Sequence, residues 1–181
     1  MTTTTPPLVG ATTTPLRRLY LIRFGFALVW AVALFLVASR SGPVTAVLLV
    51  LYPLFDVGAA LVDARSSRDG RSVPGLRVNV AVSLVAAIGL AVAATSGDPA
   101  VLRVWGTWAV VSGLVQLVVA LRRRSLGGQW AMIASGSLST LAGAAFVVQA
   151  SAPDPALTGL AGYALLGGVF FLVSALRLGS R

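Results

Sequence analysis

An aspartate inside a long apolar stretch is the residue of this sequence with the clearest capacity for chemistry. Asp56 follows Pro43 by 13 residues, which corresponds to about 20 Å along an α-helix that rises ~1.5 Å per residue. An ionisable group at this depth in an apolar segment is costly and usually marks an ion path, a proton relay or an ion pair. Pro53 cannot donate a backbone hydrogen bond to the carbonyl group of Leu49, so we expect a kink beside the carboxylate.

Three interpretations of Asp56 are open at this point. Folding the chain about Ser41 places Arg23 18 residues and Asp56 15 residues from the turn, a mismatch of three residues or ~4.5 Å that an arginine side chain spans. The first interpretation is therefore a structural ion pair with Arg23 or with another arginine. The second is a titrating or ion-handling group, and the third is a neutral aspartic acid that faces a polar gap.

Other polar side chains at depth are a glutamine and several hydroxyl groups. Gln116 has Ser112 one turn before it, and further hydroxyl groups lie between residues 135 and 140. We expect helix-to-helix hydrogen bonds from them, worth about 0.5–2 kcal/mol each. Asp56, Arg23, Gln116 and Ser112 together make up the candidate intramembrane polar site.

Most of the large aromatic residues lie near the ends of apolar runs rather than at their centres. They are Trp105, Trp108, Trp130, Tyr20 and Tyr163. Amphipathic rings concentrate at the boundary between a membrane and water. The sequence therefore predicts interfacial anchors, and no aromatic cofactor site.

The set of reactive side chains excludes most enzyme chemistry. The 181 residues include no His, Cys, Lys or Glu, so all 14 cations are Arg and all 5 anions are Asp. The chain thus has neither a thiolate nor an imidazole for catalysis or metal binding. A phosphate-binding loop of the lysine type is excluded as well. We expect a protein that is not an enzyme, with no catalytic, metal-binding or cofactor-binding residue and no cofactor.

Six apolar runs must position the candidate residues. The chain is 57% hydrophobic and 10% charged, and its runs cover about residues 19–39, 43–62, 77–96, 100–121, 129–150 and 156–176. Each reaches or approaches the ~20 residues that cross a bilayer, where a helix satisfies every backbone polar group. The first, third and fifth connections are tight turns, whereas the second and fourth are longer and basic. The predicted fold class is all-α: a polytopic membrane protein with six transmembrane helices in three helical hairpins.

The arginines indicate how this bundle is oriented. Twelve of them flank the first helix, occupy the longer connections or end the chain, and the run Arg122 to Arg124 is one such cluster; only Arg40 and Arg103 lie on the other side. The positive-inside rule then places both termini in the cytoplasm. Residues 1–16 are predicted to be a disordered Thr/Pro-rich cytoplasmic tail, and residues 17–181 the membrane domain.

The basic clusters also bear on the partners of the protein. Arginines next to membrane helices attract the anionic headgroups of lipids, which accounts for the net charge of +9 without a nucleic acid. We therefore expect the bilayer and its anionic headgroups as partners, and no nucleic acid. Whether the chain also binds a second copy of itself in a homo-oligomer is left open.

A period of 56 residues divides the chain into three units. Pro43, Pro99 and Pro155 follow this spacing, and each begins the second helix of a hairpin. The units cover about residues 19–63, 77–122 and 129–177. The same period aligns two columns of small residues. The first column is Ala27, Ser83 and Ser139, and the second, four positions later, is Ala31, Ala87 and Gly143. These columns predict close helix packing. With a one-residue slip, position 56 aligns with Gly113 and Gly168.

The placement of glycine, tryptophan and arginine within these helices resembles a known family. Residues 105–124, WGTWAVVSGLVQLVVALRRR, and residues 125–148, SLGGQWAMIASGSLSTLAGAAFVV, together with the three hairpin units, look like the HdeD family of bacterial acid-resistance membrane proteins. The likeness covers about residues 20 to 178 and leaves out the Thr-rich tail. It implies an integral protein of the bacterial inner membrane that is tied to survival of acid stress, and it carries over no catalytic motif.

Two functional expectations follow. The first is a non-enzymatic inner-membrane protein of the HdeD acid-stress type, which acts through membrane residence or protein contacts. The alternative is a small transporter or channel for protons or a solute, with Asp56 in an asymmetric path through three similar units.

Overall fold

The computed structural model describes residues 10–39, 42–66 and 73–178 of the protein. Within them the chain forms six α-helices and no strand. They are α1 (Gly10–Val37), α2 (Pro43–Ser66), α3 (Val73–Ala93), α4 (Asp98–Arg122), α5 (Gln129–Gln149) and α6 (Thr158–Arg177), with a short 3₁₀ turn at Arg124–Leu126 between α4 and α5. The predicted all-α class with six long helices is confirmed.

All six helices are long and apolar enough to cross a membrane, which makes this a multi-pass membrane protein in contact with the lipid bilayer. Their outer faces carry large apolar side chains. Val29, Val85 and Val148, for example, are at least 70% exposed on α1, α3 and α5. A surface of this kind belongs in lipid, because contiguous apolar patches of this extent are rare on proteins in water.

Several helix boundaries differ from the predicted ones. α2 continues to Ser66 and α3 begins at Val73, so charged residues predicted to lie in the connection lie in helices instead. The backbone bonds of a helix continue through polar residues that the hydropathy pattern assigns to a loop. α1 begins at Gly10, within the predicted tail, whereas residues 1–9 of that tail are outside the described residues.

The helices close into a ring in which every even-numbered helix packs most broadly on the odd-numbered helix that follows it. The α4–α5 interface is the most extensive, and the α6–α1 and α2–α3 interfaces come next. The two helices of each hairpin also pack together, but over a smaller area. The three hairpins are therefore joined mainly through the interfaces between one repeat and the next.

Positions that the predicted repeat aligns contact one another at these interfaces. In each one, an aligned position of the even helix meets an aligned position of the odd helix: Asp56 meets Ser83, Gly113 meets Ser139 and Gly168 meets Ala27. A Cβ atom built on Gly113 would lie 2.9 Å from the Cβ of Ser139. Asp56 thus occupies a position where the other two units have glycine and backbones approach closely.

Two buried apolar clusters fill the two ends of the bundle. We call the end with the three tight hairpin turns the turn end, and the opposite one the basic end. The turn end is filled around Leu34, Leu90 and Leu160, with Trp30 and Trp105 toward the middle of the bundle. A smaller cluster, which includes Leu16, Met132 and Leu178, fills the basic end.

Candidate functional site

A cavity of about 230 Å³ lies in the interior of the bundle, toward the basic end. Every helix contributes to its wall. Representative lining residues, one from each helix in chain order, are Tyr20, Asp56, Asn79, Gln116, Ser135 and Phe171. The cavity is smaller than the ~300–1,000 Å³ of a site for a drug-sized ligand. It can accommodate water or a small polar molecule.

Asp56 accepts hydrogen bonds from three side chains at the wall of this cavity. Arg23 of α1 forms an ion pair with its Oδ1 atom. On the other oxygen, Oδ2 accepts from Asn79 Nδ2 at 2.5 Å and from Ser83 Oγ at 2.8 Å, both on α3. The carboxylate is thus held between its own hairpin partner and the first helix of the next repeat.

The backbone around Asp56 is adapted to a proline one turn earlier. Pro53 is buried within α2 and has no N–H group for the carbonyl oxygen of Leu49. Trp30 of α1 donates its indole N–H to the carbonyl oxygen of Leu48 at 2.6 Å, in the same turn of the helix. A side chain from α1 therefore supports the helical turn that Pro53 weakens, and it fixes α2 against α1 where the ion pair forms.

Arg23 also contacts α6, the helix that packs on the other side of α1. Its guanidinium carbon lies 4.7 Å from the centre of the Phe171 ring on α6, a cation–π contact. Arg23 thus joins α1, α2 and α6. The 56-residue period contains a signal for this position that sequence analysis missed, since residues 56 and 112 positions after Arg23 are Asn79 and Ser135, which both line the cavity.

A second ion pair lies in the same cavity, nearer the basic end. Arg123 Nη1 donates to Asp63 Oδ2 at 2.8 Å, and the two side chains are only 4% and 7% exposed. In the sequence, the second apolar run ends at residue 62, just before Asp63, and Arg123 was assigned to a cytoplasmic cluster at the lipid headgroups. The structure contradicts this for Arg123, because it turns into the bundle while Arg122 and Arg124 on either side are exposed.

Gln116 and Ser112, the remaining members of the predicted site, line the cavity without bonding to Asp56. Gln116 Nε2 donates to the carbonyl oxygen of Met132 on α5 at 3.2 Å, which is the helix-to-helix bond expected of it. Ser112 Oγ donates to the carbonyl oxygen of Trp108 within its own helix at 2.6 Å. Their role in a functional site stays a prediction.

Several aromatic residues predicted as interfacial anchors lie inside the bundle. Trp105 is fully buried, and Trp108 donates its indole N–H to Ser83 Oγ at 3.0 Å. Because Ser83 in turn donates to Asp56, a chain of hydrogen bonds runs from α4 through α3 to the carboxylate. Tyr163 pairs with Ser139, the equivalent of Ser83 in the third repeat. Trp130 alone among the tryptophans of this group is exposed, at 52%.

The charges around the cavity balance one another. Its lining includes two carboxylates, Asp56 and Asp63, and two guanidinium groups, Arg23 and Arg123, and each carboxylate is paired with one guanidinium. Burying both partners together avoids the large cost of an isolated charge. In the part of the chain that the structure describes, no three potential ligands among Asp, Glu, His and Cys come together as a metal site would require. The cavity can therefore hold a small polar guest among neutralised charges.

Two buried polar atoms have no hydrogen-bond partner among the described residues: Nε1 of Trp105 and Oε1 of Gln129. Trp105 belongs to the buried cluster of the turn end, where its ring stacks on Trp30 with 5.3 Å between ring centres. Gln129 lines the cavity itself. Unpaired buried polar atoms cost about 1–3 kcal/mol each, so they are few in folded proteins.

Comparison with models of protein families, with curated proteins and with solved structures finds no match to this chain. The assignment to the HdeD family therefore stays a prediction from sequence. Sequence and structure together establish a multi-pass membrane protein whose described residues form six long helices around a small polar cavity.

Proposed function

We propose that this chain is a non-enzymatic protein of the bacterial inner membrane that acts in acid stress, and that Asp56 and its cavity are the part responsible. The observation that carries the proposal is a carboxylate held inside the bundle by Arg23, Asn79 and Ser83. Ionisable groups inside a membrane are rare and are most often functional. The acid-stress role comes from the resemblance to the HdeD family, and the absence of His, Cys, Lys and Glu from the sequence supports a role without turnover.

The proposal includes an orientation, with the basic end of the bundle in the cytoplasm. Twelve of the 14 arginines lie in the sequence before the middle of the first apolar run, in or beside the two longer connections, or at the end of the last run, and this asymmetry supports the orientation. In this arrangement the cavity lies nearer the cytoplasmic face. Arg122 and Arg124, which are exposed beside the buried Arg123, are then placed to meet anionic headgroups.

Replacing Asp56 with asparagine tests the acid-stress role. The change keeps the shape of the side chain but removes its charge, so Arg23 loses its ionic partner. We expect a deletion strain that carries Asp56→Asn to survive acid no better than the deletion strain itself, and to lose control of internal pH. The measurement is viable count and cytoplasmic pH after an acid challenge.

Two further variants make this test specific. Asp154→Asn changes an exposed aspartate in the α5–α6 turn and should complement as well as the wild type. The double variant Arg23→Gln with Asp56→Asn carries no unpaired charge, so it separates loss of the carboxylate from loss of folding. Full acid survival with this double variant would contradict a role for Asp56.

A second candidate function is the passage of protons or a small solute, and the cavity around Asp56 favours it. The turn end of the bundle is filled by an apolar cluster, so passage requires this cluster to rearrange. We therefore expect slow, saturable flux of the transporter type in proteoliposomes, and a loss of flux in Asp56→Asn. Flux in the wild type no faster than in protein-free liposomes would remove this candidate and leave the acid-survival test unaffected.

A further inference from the structure

The basic end of the cavity contains a second group of polar side chains, apart from the Asp56 cluster. Tyr20 of α1, Asp63 of α2, Arg123 at the end of α4 and Gln129 at the start of α5 line this part of the cavity, and all four are at least 95% buried. Asp63 and Arg123 neutralise each other. Four polar side chains, from α1, α2, α5 and the residue after α4, thus line one small part of the cavity.

Gln129 is the member of this group with an unsatisfied atom. It is 2% exposed, and its Nε2 atom donates to the carbonyl oxygen of Gly127 at 3.2 Å. The Gln129 side chain also forms a hydrogen bond with Tyr20, whereas its Oε1 atom is a buried acceptor without a donor among the described residues. Because an unpaired buried acceptor is costly, the site favours a guest that donates a hydrogen bond.

The position of Gln129 is fixed by the backbone before it. Gly127 and Gly128 have φ angles of 73° and 66°, a region that residues with a Cβ atom rarely adopt. Ser174 Oγ of α6 donates to the carbonyl oxygen of Gly128 at 2.9 Å. The start of α5 is therefore held against α6, which fixes the backbone position of Gln129.

The charge of the cavity selects the kind of guest. The two ion pairs leave the lining with no net charge, so a charged guest would bring an uncompensated charge into the interior of the bundle. An uncharged molecule avoids this cost. It must offer a donor to Gln129 Oε1, and an acceptor on it would face the guanidinium of Arg123 and the hydroxyl group of Tyr20.

We infer that the basic end of the cavity binds a small uncharged molecule that both donates and accepts hydrogen bonds, of the primary amide or urea class, with Gln129 Oε1 as its acceptor. The inference names the class of ligand that the cavity binds. It rests on the proposed function only because both concern the same cavity. A measurement of equilibrium binding tests the inference and uses neither acid survival nor flux. The inference and the proposed function can therefore fail separately.

The probe is trifluoroacetamide, observed by ¹⁹F NMR with the full-length protein in nanodiscs. Two analogues isolate the recognised features: N,N-dimethyltrifluoroacetamide has no N–H donor, and trifluoroacetate is an anion of similar size. We expect saturable line broadening for the primary amide and none for either analogue beyond that seen with empty nanodiscs. Equal binding of the dimethyl analogue, a preference for the anion, or no binding of any probe would overturn the inference.

Variants of the two glutamines of α5 locate the bound probe. Gln129→Met removes the acceptor and should weaken binding about fivefold, the loss expected for one neutral hydrogen bond. Gln149→Met changes the glutamine at the opposite end of α5, which is outside the cavity lining, and should leave binding unchanged. An unchanged affinity in Gln129→Met would contradict the assignment. If that variant does not fold, the comparison of the three probes on the wild type still decides.

Discussion

Replacing Arg123 with methionine is expected to lower the free energy of unfolding by about 3–5 kcal/mol, because it leaves the buried carboxylate of Asp63 without its ionic partner. The methionine side chain fills a similar volume, so the loss comes from charge rather than from a cavity. The measurement is equilibrium unfolding in mixed micelles, followed by circular dichroism.

The neighbouring arginine provides a matched control for this change. Arg124→Met alters the same kind of side chain one position later, where it is exposed, and should change stability by less than ~0.5 kcal/mol. The double variant Asp63→Leu with Arg123→Met should recover most of the loss, because an apolar pair often replaces a buried ion pair without penalty. A single Arg123→Met variant as stable as Arg124→Met would show that the pair contributes nothing.

Replacing Gly106 with alanine is expected to separate α4 from α5 and to destabilise the protein by about 1–3 kcal/mol, the usual range for overpacking. A Cβ atom on Gly106 would lie 2.5 Å from the carbonyl oxygen of Gly143 and 3.0 Å from the backbone nitrogen of Val147. Backbone atoms of this kind cannot move aside without moving the helix. The same unfolding measurement checks the loss.

Gly58→Ala is the control for this second change. A Cβ atom on Gly58 meets nothing within 4 Å, so the alanine should be neutral or slightly stabilising through its better helix propensity. Gly143→Ala should behave like Gly106→Ala, since its Cβ would lie 2.5 Å from the carbonyl oxygen of Gly106. If Gly106→Ala is as stable as Gly58→Ala, the two helices are not held at the distance described.

The architecture was predictable because the chain repeats a strong, simple signal. Long apolar runs can only be helices in lipid, and the proline spacing of 56 residues marks the three hairpins. Counting residues from the Ser41 turn placed Arg23 near Asp56 in the first hairpin, and the structure joins them in an ion pair. Both arguments use distances along the chain, which the sequence contains directly.

The second half of the polar interior was not predictable in this way. Arg122, Arg123 and Arg124 are identical side chains at a helix end, and only the phase of the last turn of α4 decides which of them points inward. Asp63 looked like the first residue of a loop because the hydropathy pattern ends there, although α2 continues to Ser66. Contacts between helices that are distant in the chain depend on packing that composition does not reveal.

One further residue of the site could have been predicted from the sequence. Asn79 follows Arg23 by one 56-residue period, so it had to occupy the equivalent place on the third helix. Sequence analysis applied the 56-residue period only to small residues, which indicate close packing. It therefore missed the polar residues Arg23, Asn79 and Ser135, which the same period aligns. Bringing Asn79 to Asp56 additionally required the broad contact of α2 with α3, and no pattern in the sequence ranked that interface above the hairpins.

The two ion pairs also determine an order in which the chain can be assembled during synthesis. Arg23 and Asp56 lie on consecutive helices, so the first hairpin can enter the bilayer as an electrically neutral unit and avoid the ~3 kcal/mol that a lone charge costs there. Asp63 meets Arg123 only after the fourth helix has emerged from the ribosome. Because α6 packs on α1, the circle of helices closes only after α6 has been synthesised.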